Sequence, residues 1–132
     1  MAAGVSVTIL GTAQDGGIPQ AGCSCERCKE AHKDLELRKY PVSLGILGAD
    51  GSKHIVEVTK NLCEQLMIWT PDENELFIPE TVSITHLHLG HVEGIGQFGK
   101  PVMALKEVDI FLSRDNKNIF DGRSDIELMI KE

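Results

Sequence analysis

Thr85-His86-Leu87-His88-Leu89-Gly90-His91 decides how the rest of the chain is read. Three of the five histidines fall in this stretch, directly after Val82-Ser83-Ile84, a run that predicts a short strand. Residues two apart in extended backbone point to the same side, so His86 and His88 can present two imidazoles to one ion. Gly90 allows a sharp turn that swings His91 back toward them. The three rings form a candidate catalytic metal centre, and neutral imidazole suits Zn, Fe, Ni or Cu. The competing reading, three ordinary polar loop histidines, is disfavoured by their clustering at a strand end. Glu93 reads either as a hydrogen-bonding partner of one ring or as a solvated carboxylate at a helix start.

Upstream, Gly22-Cys23-Ser24-Cys25-Glu26-Arg27-Cys28 has the spacing C-x-C-x-x-C. Short spacings on a loop let Cys23, Cys25 and Cys28 reach one tetrahedral ion at about 2.3 Å each, and such thiolates favour a structural zinc. A tetrahedral site needs a fourth ligand, and His32, four residues past Cys28, is the local candidate, giving a zinc knuckle over 22–32. Reduced bystander thiols or a redox pair are the alternative. Cys63 has apolar neighbours on a predicted helix and reads as core packing. Before the cysteines, Gly16 and Gly17 read either as a plain turn or as a surface that approaches substrate closely.

Around these motifs, strands alternate with helices. Residues 5–10 read as a strand, 11–22 as a Gly- and Pro-rich loop, and 29–39 as a short exposed helix. Residues 41–47 and 54–58 are apolar runs joined through Asp50-Gly51, a strong hairpin signal. Residues 61–69 read as a helix with Leu62, Leu66 and Trp69 on one face. Asn61 with Glu64 resembles a capping box there. Residues 82–85 read as a strand, 92–98 as a helical turn, 101–104 as a strand and 106–112 as a short helix. Beyond Ser113 the pattern fades. The class is α/β or α+β with a substantial sheet, in a single domain over 1–132.

With 132 residues, 42% hydrophobic and 25% charged, the chain suits one ordinary globular core. A net charge of −7 argues against nucleic acid or an anionic membrane as partner. No stretch approaches the roughly 20 apolar residues of a membrane helix. The start of the chain lacks the basic region of a secretory signal. A cytoplasmic location is therefore expected, with cysteines reduced or metal-bound rather than bridged.

The histidine stretch resembles the H-x-H-x-D-H signature of the metallo-β-lactamase superfamily. In that family the first two histidines bind one metal, and the aspartate and last histidine bind a second. His86 and His88 match the first pair and His91 the last histidine, while Gly90 stands at the aspartate position. The departure implies a mononuclear or repurposed centre. The loop Leu10-Gly11-Thr12-Ala13-Gln14-Asp15-Gly16-Gly17-Ile18-Pro19-Gln20, with the cysteines after it, resembles one branch of the superfamily. That branch holds the B protein of pyrroloquinoline quinone biosynthesis and the phosphonate-pathway cyclic phosphodiesterase, whose cysteine knuckle binds structural zinc. Ile55-Val56-Glu57-Val58-Thr59 followed by Glu64-Gln65-Leu66 resembles the family's second hairpin strand and its following helix, with Glu57 where aspartate is usual. Gly99-Lys100-Pro101-Val102-Met103-Ala104 resembles the strand after the metal loop. The likeness runs over residues 7–112.

The resemblance implies the N-terminal half of a four-layer αββα sandwich. The family's later ligands, including a downstream histidine that can complete the cysteine site, have no counterpart, because no histidine follows His91. Asp109, Asp115, Asp121 and Asp125 sit in polar surroundings and read as surface residues. A half-sandwich leaves one sheet face open, so a homodimer or a missing C-terminal half is the expected partner. The implied function is a metal-dependent hydrolase of a small-molecule phosphodiester or ester, impaired or incomplete in this short chain. Zn, or Fe or Mn, would sit at the histidines and Zn at the cysteines. The alternatives are a non-catalytic zinc-stabilised interaction module and an iron-dependent oxygenase-like relative.

Overall fold

Ser6–Gly11 forms β1, Ser43–Leu47 β2, Lys53–Val56 β3, Thr81–Ser83 β4 and Asp109–Phe111 β5, in one sheet of spatial order β1-β2-β3-β4-β5. The helices are α1 (Glu26–Lys33), α2 (Leu62–Trp69), α3 (Leu89–Val92) and α4 (Arg114–Asp121), with 3-10 turns at Leu35–Leu37 and Ile95–Phe98. The computed structural model describes residues 4–72 and 74–122. No helix among them is long and apolar enough to cross a membrane.

The first three strands form an antiparallel meander, and β4 and β5 add parallel to β3. The expected hairpin is closed by local chemistry. Asp50 Oδ1 accepts the Ser52 backbone N–H at 2.9 Å, and Gly51 takes φ +85°, a conformation that costs glycine little. Parallel strands need a crossover, and α2 lies in the connection from β3 to β4.

The strand register assigns the two faces. Thr8, Gly45, Ile55, Val82 and Ile110 pair in one row across all five strands. Ile55 and Val82 in this row are fully buried. α2 adds a stripe of Leu62, Gln65, Leu66 and Trp69 to the same core, spaced i, i+3, i+4, i+7. Gln65 is buried without penalty: its amide N–H donates to Pro41 O at 2.8 Å, and its carbonyl accepts from the Thr59 hydroxyl at 2.7 Å. The opposite row, Ile9, Leu44, Val56, Ser83 and Phe111, has no covering layer among the described residues. Val7 is 59% and Ile9 63% exposed on that side.

Several expectations need correction. Residues 101–104 are not a strand: Val102 and Ala104 both donate to Gly99 O, and Ala104 adopts φ +51°, which makes a turn. Residues 106–112 are not a helix but carry β5, with Val108, Ile110 and Leu112 packed toward the core and Asp109 and Phe111 outward. The helix expected over 29–39 begins earlier, at Glu26, and stops at Lys33. The capping box at Asn61 does not form; the Asn61 amide instead contacts the Glu64 carboxylate at 3.4 Å. Cys63 is exposed, because the buried stripe of α2 passes through 62, 65, 66 and 69. Where the pattern fades, Ser113 Oγ accepts the Asn116 N–H and starts α4. Asp109, Asp115 and Asp121 are exposed, while Asp125 lies outside the described residues.

Candidate metal centre

The site is assembled where β3 and β4 end side by side. Just past β3, Glu57 is 2% exposed and holds φ +67°, an uncommon conformation for a residue with a side chain. The surroundings fix it there. Its N–H donates to Ser83 O at 2.9 Å, and its carbonyl accepts from the Ser43 hydroxyl at 3.0 Å. The next residue, Val58, donates to His91 O at 2.9 Å. Gly94 donates back to Val58 O, and only a residue without a Cβ can approach Thr59 this closely. The histidine loop is thus laced to the end of β3.

The Glu57 carboxylate points into this loop. Oε1 accepts the Thr85 N–H at 2.8 Å, and Oε2 lies 2.9 Å from His91 Nδ1. A carboxylate can only accept from that ring nitrogen, so it places a proton on Nδ1. His86 is oriented similarly, with Nδ1 2.9 Å from the Thr85 hydroxyl. The His86 and His91 ring centroids are 4.0 Å apart. His86, His91 and Glu57 each offer a ligand atom within 4.8 Å of the others. His88 precedes α3 as its N-cap residue and is exposed; its ring stands edge-on to His86 with centroids 4.5 Å apart, outside that group. Imidazole and carboxylate donors converging in this way suit Zn, Fe or Mn.

Two side chains here were not singled out as site residues by sequence. Glu57, noted only by resemblance, takes the ring-partner role considered for Glu93, which instead ends α3 as its C-cap. Asp15, 75 positions before Gly90, reaches in from the loop after β1. Its Oδ2 accepts the Gly90 N–H at 3.2 Å, and its Oδ1 lies 3.4 Å from His91 Nε2. Nothing local in the sequence marks a contact of that range.

Gly17 is buried at φ +67° and donates to Gln14 O, so its freedom serves a turn. Gly16 O accepts from Lys60 Nζ at 2.7 Å. Gly16 also lines a shallow depression with Asp15, Gln20 and Lys60. A groove bordered by Phe98, Leu105, Val108 and Ile110 contains none of the histidines.

The cysteine cluster forms separately. Cys23, Cys25 and Cys28 offer sulfurs within 4.8 Å of one another. Cys25 is the N-cap residue of α1, and its thiol pKa is lowered, first by the Cys28 backbone N–H and then by hydrogen bonding with Cys23 and Cys28. At Cys28 the Gln20 N–H pulls the pKa down, but burial and hydrogen bonds to Cys23 and Cys25 leave it raised overall. Three thiols at this spacing fit a zinc ion. His32 is exposed on α1 and lies outside the group.

No family model matches the chain. Two curated proteins described as coenzyme PQQ synthesis protein B, from Rhodopseudomonas palustris strains BisB5 and TIE-1, are 34% and 31% identical over 62 and 61 residues. Each match takes in 46% of this chain and 20% of the relative. Among solved structures, zinc-bound PqqB from Methylobacterium extorquens superposes with TM-score 0.74 at 17% identity, over 95% of this chain and 42% of that one. A diphosphatase of the PhnP family superposes with TM-score 0.70 at 18% identity, over 96% of this chain and 48% of that one. The chain therefore spans less than half of either structure and a fifth of the curated relatives. It carries part of the metallo-β-lactamase fold and resembles the branch of that superfamily represented by PQQ synthesis protein B and the PhnP-type diphosphatases.

Proposed function

We propose that this chain provides the histidine-loop part of a metallo-hydrolase acting on a small phosphodiester or ester, with a zinc-bound cysteine knuckle that serves only the fold. The observation that carries the reading is the buried Glu57 carboxylate, which binds His91 Nδ1 at 2.9 Å with the His86 ring 4.0 Å away between centroids. A divalent ion at such a site acidifies water and polarises a phosphoryl or carbonyl oxygen. The chain's own part is to orient. Glu57 sets the His91 tautomer, the Thr85 hydroxyl steadies His86, and His88 lies exposed at the rim. The PhnP-family diphosphatase among the structural neighbours makes phosphoesters the first substrates to test. The aligned part is less than half of that protein, so activity of the isolated chain is expected to be weak.

A second reading is a zinc-stabilised module without catalysis, favoured by a cysteine cluster whose three sulfurs converge independently of the histidine loop. Metal analysis of protein purified without added metal separates the two. A second equivalent of zinc, iron or manganese, lost in His86→Ala or His91→Ala, supports the hydrolase, as does turnover of bis(p-nitrophenyl) phosphate that disappears with it. One zinc, lost only when Cys23 and Cys25 become Ser, supports the module. Iron at the histidines without phosphodiester turnover would move the assignment toward oxygen chemistry.

A further inference from the structure

We propose that Asp15 supplies, from the loop after β1, the carboxylate that residue 90 cannot. The inference rests on the metal-site reading above and assigns a further ligand to it. A Cβ built on Gly90 would lie 2.5 Å from both Cβ and Cγ of Asp15. The Asp15 side chain therefore fills the space in which a side chain at 90 would start. Its two oxygens divide between that position and the next: Oδ2 takes the Gly90 N–H at 3.2 Å, and Oδ1 faces His91 Nε2 at 3.4 Å. Asp15 meets His91 at Nε2 and Glu57 meets it at Nδ1, so two carboxylates from distant parts of the chain address opposite nitrogens of one ring. Asp15 stands outside the group formed by Glu57, His86 and His91 and reaches it through His91.

The loop that carries Asp15 is held on both flanks. Before it, Ala13 donates to Tyr40 O at 2.9 Å and accepts from Val42 N at 3.0 Å. After it, Gly17 donates to Gln14 O and Lys60 Nζ binds Gly16 O. The side chain of Asp15 is 49% exposed while that of His91 is 15% exposed, which puts the carboxylate at the solvent side of the ring. Asp15 in this place thus requires that residue 90 carry no side chain.

A plain structural reading is that Asp15 only caps the Gly90 N–H. Asp15→Asn separates the two roles, because an amide oxygen still accepts that hydrogen bond but is a poor metal ligand. Zinc content is measured by elemental analysis across buffers of defined free zinc for the whole chain, Asp15→Asn, Asp15→Ala and His91→Ala. Melting of the metal-free proteins is followed in parallel. Asp15→Asn is expected to keep its metal-free melting temperature and its cysteine-site zinc, and to bind the histidine-site zinc at least tenfold more weakly. Asp15→Ala is expected to lose the same affinity. If Asp15→Asn binds both zincs like the parent while His91→Ala loses one, Asp15 is a cap and the inference is overturned, with the metal site intact. It is overturned equally if Asp15→Ala weakens zinc binding and Asp15→Asn does not. If the parent chain holds no zinc that His91→Ala removes, the metal-site reading falls and this inference with it.

Discussion

Glu57 and His91 are joined at 2.9 Å through Oε2 and Nδ1, and the other Glu57 oxygen holds the Thr85 N–H at the head of the histidine loop. One buried carboxylate therefore sets both the path of the loop and the tautomer of its last ring. Glu57→Gln keeps the shape but can present an N–H to the ring, which favours the tautomer with Nε2 protonated. The expected outcome is a 10- to 100-fold loss of histidine-site metal affinity, on the order seen when such supporting partners are removed. Glu57→Ala also strands the Thr85 N–H and is expected to cost about 1–3 kcal/mol of stability for that unmet donor. Zinc titration and denaturant unfolding read the two effects separately. Unchanged metal affinity in Glu57→Gln would refute the orienting role.

Gly45 shows the same dependence of structure on one missing side chain. It lies in the buried row of the sheet, and a Cβ there would come within 2.5–2.6 Å of the Trp69 indole. Trp69 in turn meets Phe77 edge-on at 5.3 Å between centroids. Gly45→Ala must therefore push α2 off the sheet. Overpacking of this kind costs about 1–3 kcal/mol. A lower denaturant midpoint with a shift in Trp69 fluorescence is expected, and an unperturbed midpoint would contradict the packing described.

The cysteine knuckle makes a prediction about reactivity and one about stability. In metal-free protein, Cys25 should alkylate fastest near neutral pH, because it is exposed and its pKa is lowered; a lowered pKa keeps the thiolate populated at a lower pH. Cys28, buried and raised, should react last, and its thiolate should appear only at higher pH. Metal loading should protect all three while leaving exposed Cys63 reactive. Stripping the metal with a chelator should lower the melting temperature, since binding to the folded state stabilises it. Alkylation mapped by mass spectrometry checks the order, and equal protection of Cys63 would argue against a knuckle-specific ion.

What was legible in the sequence was what local periodicity encodes. β1 to β3 follow from apolar runs bounded by glycines, and α2 from the stripe Leu62, Leu66 and Trp69. β5 escaped because three residues are too few for a period of two to stand out, and Lys106-Glu107 before it imitates a helix start. α4 escaped because it buries little, its start set by one Ser113 cap rather than an apolar face. At the site, His86, His88 and His91 announced themselves by clustering, and Cys23, Cys25 and Cys28 by spacing. Asp15 did not, since its place beside Gly90 exists only once β1 and β4 share a sheet.

The uncovered sheet face is the remaining consequence of the architecture. Val5, Val7, Ile9 and Phe111 are all more than half exposed, and Leu44 and Val56 lie between them in the register. At roughly 25 cal/mol per Å² of apolar surface removed from water, contiguous apolar area on this scale favours association. We expect the chain on its own to self-associate through this face at micromolar concentration, the second copy standing where a further sheet lies in a complete sandwich. Among the described residues β1 is also an edge strand, so its outer backbone groups can contribute to pairing. Val7→Lys with Ile9→Lys should disperse the assembly while leaving the melting temperature and metal content almost unaltered, because both side chains already face solvent in the monomer. Sedimentation velocity across a concentration series decides the matter: a single monomeric boundary for the parent chain would show that this face does not drive association.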